Sequence, residues 1–143
     1  MAISIQVVFD CADPAVVARF WATALGYQLQ GPPEPSAEWV AWQEEHLPEE
    51  RWNDASAIID PDGTGPRIYF QRVPEPKAVK NRLHLDINAG GPSGTPTSER
   101  RVRVDEAVER LAAAGATVVV AQDDHDEYCV TMVDPEGNEF DVQ

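Results

Sequence analysis

Asp60-Pro-Asp-Gly63 and Asp134-Pro-Glu-Gly137 are two copies of one turn signal, each standing before the last strand of the same series of elements. Aspartate at the start, proline next and glycine at the close suit a type I turn. Ahead of the first copy, Ile3, Ile5, Val7 and Phe9 share one parity. That alternation predicts a strand over residues 3–9, with Gln6, Val8 and Asp10 on the opposite face. Asp13-Pro14 reads as a helix N-cap followed by proline at the first helical position. Val16, Val17, Phe20, Trp21 and Leu25 recur at helical spacing until Gly26 stops the helix. Strands are expected over 27–30, 38–42, 55–59 and, beyond the turn, 67–73.

After a polar, proline-bearing connector at 74–81 the series restarts. Leu83, Leu85 and Ile87 alternate with His84 and Asp86, predicting a strand over 82–87. A Gly/Pro/Ser/Thr loop fills 90–98, and Val104, Val108 and Leu111 mark a second helix ended by Gly115. Strands over 117–121 and 128–133 flank an acidic turn at 123–127, and a last strand runs over 138–143. Each half is therefore βαβββ. A half of about 70 residues with one helix buries too small a core by itself, so the halves are expected to pair. The fold class read from this is α+β. Two paired βαβββ modules, residues 1–73 and 82–143, form one concave sheet in a single domain over 1–143, with the helices on its outer face. The first module is the longer, and its surplus falls on an insert near 44–54 that carries Trp52.

Composition narrows the partners. Against 25 Asp and Glu stand 11 Lys and Arg, for a net charge of −14. Such a surface opposes nucleic acid, whose phosphates are bound by replacing counterions with basic side chains, and it opposes anionic membranes. With 43% hydrophobic residues the chain is too apolar for a disordered acidic tail. No stretch has the roughly 18 apolar residues of a membrane span, and the first residues lack a basic then apolar leader. Cys11 and Cys129 form no CxxC pair and read as small apolar residues in a reducing compartment, which predicts a cytoplasmic protein.

Strand parity then selects a polar face. If the apolar sets meet the helices, the opposite sets are Gln6, Val8 and Asp10; Tyr69, Gln71 and Val73; His84 and Asp86; and Glu139, Asp141 and Gln143. Trp39 and Trp42 are further candidates for walling a small-molecule pocket, since tryptophan stacks well on flat ligands. Gly90, Gly91 and Gly94 do not follow the spacing of a dinucleotide-binding loop.

Three stretches carry a family resemblance: residues 13–26, the run Arg82-Leu-His-Leu-Asp86, and Asp134-Pro-Glu-Gly-Asn-Glu-Phe-Asp141. Together with the repeat, the chain resembles the vicinal oxygen chelate superfamily of glyoxalases, bleomycin resistance proteins and extradiol dioxygenases. Residues 70–77 and 80–84 resemble its glyoxalase-like domain branch in particular. By motif register, the resemblance implies Gln6, His84 and Asp141 as metal ligands, with Gln71 nearest the fourth position. The implied cofactor is a divalent ion (Ni, Zn, Mn or Fe) that chelates adjacent oxygens of a substrate and stabilises a developing oxyanion. Glu139 is then placed to move a proton, and Trp39, Trp42, Tyr69 and Gln71 to contact substrate. Two functions remain open at this point. One is a metal-dependent lyase or isomerase, and the other is metal-free binding or sequestration of a small molecule, in which the acidic surface favours a positive ligand. The resemblance also implies a homodimer.

Overall fold

A computed structural model describes residues 3–31, 41, 44–46, 48–124 and 127–143. The chain divides into two compact units, residues 1–76 and 77–143. In the first, β1 (Val7–Cys11) leads to α1 (Pro14–Leu25), β2 (Gln28–Leu29), a short 3-10 turn at Glu49–Arg51, β3 (Ala55–Ile59) and β4 (Ile68–Arg72). In the second, β5 (Asp86–Ile87) leads to α2 (Thr97–Ala113), β6 (Thr117–Asp124), β7 (Glu127–Val133) and β8 (Glu139–Val142). Both units build a four-stranded mixed sheet with the same topology, β1-β4-β3-β2 in one and β5-β8-β7-β6 in the other. The first and last strands of each unit lie side by side and parallel. Residues far apart in sequence, such as Asp10 and Gln71 or Asp86 and Asp141, thus become neighbours.

The helix of the first unit begins and ends as its residues dictate. The Asp13 side chain accepts from the Val16 N–H, Pro14 opens the helix, and Gly26 closes it at a φ of 70°. A residue with a Cβ is strained at that angle, which is why the helix stops there. Its apolar stripe packs on β3 and β4. Phe9, Trp21 and Phe70 form the centre of this core, with ring centroids 5.2 Å apart for Phe9–Trp21 and 5.3 Å for Phe9–Phe70. Val17, Ala18, Ile58 and Ile68 complete it, all buried. In the second unit α2 lays Val104, Ala107 and Leu111 against the sheet residues Val130, Met132, Phe140 and Val142, again all buried.

Four strand boundaries depart from the sequence expectation. Regular pairing starts at Val7, not residue 3, and continues to Cys11. Ile3 is 92% exposed, so the alternation there reflects no buried face. Likewise β5 is confined to Asp86–Ile87, and Leu83 stays 75% exposed. The hairpin of β6 and β7 is longer than expected: pairing extends to Asp124 and resumes at Glu127, through most of the acidic stretch. Backbone pairing with a neighbour determines a strand's length, and side-chain alternation reports it only where one face is buried. The register of β6 shifts between Val118 and Val120, leaving Val119 as an extra residue that bends this edge strand. Of the strand expected at 38–42 only Ala41 is described, and it is helical; the other four positions lie outside the described residues.

Candidate functional site

Two polar clusters form on the sheet faces that point away from the helices. The one in the second unit gathers three potential ligands. His84 and Asp86 are two residues apart on one parity, and Asp86 pairs directly with Asp141 on β8. His84 Nδ1 lies 2.8 Å from Asp86 Oδ1 and 3.8 Å from Asp141 Oδ2. One donor atom from each of the three falls within 4.8 Å of the others. Thr131, opposite Asp141 on β7, donates its hydroxyl to Asp141 Oδ1 at 2.6 Å, which leaves Oδ2 turned toward the imidazole. An oriented carboxylate of this kind is characteristic of a ligand held from behind. His84 and Asp86 are about two-fifths exposed and Asp141 a quarter, so the cluster is reachable from solvent.

The donor chemistry fits a divalent cation. One imidazole and two carboxylates supply two negative charges, and this mixed N/O set suits Mn, Zn, Ni or Fe. Asp86 is the residue that sequence reasoning placed on this face without giving it a role. Its signal is period two: two positions after a histidine in a strand, it must share the histidine's face.

Glu139 stands on the same strand as Asp141 but is occupied differently. Lys77 Nζ is 3.0 Å from its Oε2, and the Asn81 N–H donates to that same oxygen at 2.9 Å. The Asn81 hydrogen bond, followed by the Lys77 interaction, holds its carboxyl down at about 2. Such a carboxylate is a weak proton acceptor near neutral pH. What it visibly does is clamp the connector 77–81 onto β8.

In the first unit, Gln71 Nε2 donates to Asp10 Oδ1 at 2.7 Å across the β1–β4 pair. Arg67, just before β4, donates from Nη1 to Gln6 Oε1 at 2.6 Å and from Nε to Gln30 Oε1 at 2.5 Å. The Arg67 guanidinium also lies 5.2 Å from the centroid of the Tyr69 ring. The carbonyl oxygen of Gln6 is thus turned to a cation. Of the residues expected at the site, His84, Asp141 and Glu139 belong to the second unit, and Gln6, Tyr69 and Gln71 to the first. Trp39 and Trp42 lie outside the described residues.

The repeated βαβββ topology and a titratable cluster at the β5–β8 pair define a protein of the glyoxalase/bleomycin resistance/dioxygenase class. The family model of the glyoxalase-like domain matches residues 6–143, and the chain belongs to that family. No curated protein matches it. Among solved structures, a glyoxalase/bleomycin resistance protein/dioxygenase family enzyme from Burkholderia phytofirmans is similar. It has 17% identity and a TM-score of 0.59, covering 96% of this chain and 94% of that one. A protein of Bacillus cereus described as "a possible Glyoxalase" has 19% identity and a TM-score of 0.62, covering 100% and 98%. A variant of the fosfomycin resistance protein FosX from Listeria monocytogenes, complexed with Mn(II) and 1S,2S-dihydroxypropylphosphonic acid, has 10% identity and a TM-score of 0.63, covering 100% and 92%. These likenesses establish the fold. Among the described residues no helix is long and apolar enough to cross a membrane.

Proposed function

We propose that this chain is a metal-dependent member of the glyoxalase-like family, acting as a lyase or isomerase on a small molecule with adjacent oxygens. The observation that carries the reading is the convergence of His84, Asp86 and Asp141 on one sheet face. The FosX relative holds Mn(II) with a dihydroxy compound, which supports both the cofactor and the substrate class. Here His84 and Asp141 keep the ligand roles implied by the motif register, and Asp86 takes the third. Gln6 is assigned instead to Arg67, because a guanidinium at its oxygen repels a metal ion. When bound, the ion supplies Lewis acidity at a substrate oxygen. Thr131 keeps Asp141 aimed, and Asp86 engages the imidazole at Nδ1. Glu139 holds the connector in this reading and is released from proton transfer. A cytoplasmic setting and the homodimer implied by the resemblance belong to the same reading.

Titration of untagged, EDTA-stripped protein with Mn(II) and Zn(II) tests this. One ion is expected to bind with a Kd below about 10 µM. His84→Ala and Asp86→Asn should each abolish that binding, and Thr131→Val should weaken it about 10- to 100-fold. Stoichiometric binding that survives both ligand substitutions sinks the assignment. The second reading, metal-free small-molecule binding, is favoured by one observation: the amide oxygen of Gln6 is already engaged by Arg67.

A further inference from the structure

We propose that the open face of the first sheet carries a binding site for a small flat carboxylate, centred on Arg67. Four arginines, Arg51, Arg72, Arg101 and Arg103, pair with a carboxylate; what sets Arg67 apart is being held in place by neutral groups instead. Among the described residues its partners are the neutral carbonyls of Gln6 and Gln30 and the ring of Tyr69. These partners come from the segment before β1, the residue after β2, and β4 itself, so the guanidinium is pinned from three sides. Neutral partners fix its orientation without cancelling its charge. Two of its five N–H donors are used, which leaves three for a ligand. A guanidinium already held in place loses little freedom on binding, and its planar fork matches a carboxylate.

The surrounding face is arranged in rows across the strands. Beside the Arg67 row lie Val8, Tyr69 and Ala57, paired in register on β1, β4 and β3. Val8 is 47% exposed there, an apolar side chain in the middle of a polar face. Beyond this row come Asp10, Gln71 and Ala55, with Gln71 donating to Asp10. A ligand is therefore orientated: its carboxylate meets Arg67, its apolar body crosses Val8 and Tyr69, and Asp10 repels a second negative charge at the far end. A monoanion suits this site better than a phosphate dianion, because Asp10 and the net charge of −14 both oppose added negative charge. The acidic composition taken alone points to a cationic ligand; the local field at Arg67 selects the opposite sign. Every residue in the site belongs to the first unit, so its substitutions can be made without touching His84, Asp86 or Asp141.

The test is calorimetric titration of EDTA-treated protein with benzoate and with its neutral isostere benzamide. Benzoate should bind at one site and benzamide about tenfold or more weaker. Arg67→Gln should weaken benzoate by about tenfold or more, while His84→Ala leaves it unchanged. Val8→Glu, at an exposed position, should abolish benzoate binding by setting a carboxylate beside Tyr69, and it serves if Arg67→Gln fails to fold. Equal affinity for the two probes, unchanged binding in either first-unit variant, or no saturable benzoate binding overturns the proposal. Loss of benzoate binding in His84→Ala also overturns it, whereas loss of metal binding alone bears only on the second unit.

Discussion

Glu139 shows how one residue's role is decided by what reaches it. Its place on β8, two residues before Asp141, suits a carboxylate facing substrate. The Asn81 N–H and then Lys77, both from the connector, instead hold its carboxyl from an ordinary 4.5 down to about 2. A lowered carboxyl stabilises the fold in its ionised form. That contribution is complete above the unfolded value and is lost as pH falls through the folded one. Urea stability of the parent protein should accordingly exceed that of Glu139→Gln at pH 7, with the difference shrinking between about pH 4.5 and about pH 2. A constant difference across that range argues that the clamp does not form. Parity could place Glu139 on a face, but it carries no information about a lysine 62 positions earlier in the chain.

At the scale of elements, α1 and the end of the insert stabilise each other. Asn53 Nδ2 donates to Asp13 Oδ1 at 2.8 Å, and Asn53 Oδ1 accepts from the Ala15 N–H at 2.8 Å. The Asn53 amide lowers the Asp13 carboxyl most, burial opposes it next in size, and the Val16 and Ala15 N–H groups add smaller lowering effects. Two residues from distant segments thus share the N–H groups that a helix start leaves unpaired. Asp13→Ala should cost about 1–2 kcal/mol in equilibrium unfolding. Combined with Asn53→Ala the loss should be smaller than the sum of the singles, because the two act through one network. Strict additivity removes the coupling. The cap was legible in Asp13-Pro14, since capping is local chemistry. Asn53 was not, because nothing in a charge-rich insert marks which residue folds back onto a helix.

For the whole molecule, the net charge of −14 sets a background of self-repulsion. Raising sodium chloride from about 0.01 M to about 0.5 M contracts the screening length from roughly 30 Å to a few ångströms. The midpoint of urea unfolding at pH 7 should rise over that range. A falling midpoint shows that specific ion pairs such as Arg51–Asp54 and Lys77–Glu139 outweigh the repulsion. The two units repeat one topology despite different helices and an insert in one of them only. The paired Asp-Pro-acid-Gly turns made that repeat readable, because a turn needs its residues within four positions.

Sequence alone determined the class of fold, the helix limits at Gly26 and Gly115, and the side of each sheet on which His84, Asp86, Asp141, Tyr69 and Gln71 stand. All of these follow from local geometry: a left-handed stop, a 3.6-residue period or a two-residue period. Tertiary structure decided which polar residues meet. Parallel pairing of first and last strands brought Asp86 to Asp141, and the close of β2 brought Gln30 to the guanidinium that also holds Gln6. Those meetings depend on strand register and on the reach of long side chains, which are properties of the assembled sheet and not of any one segment.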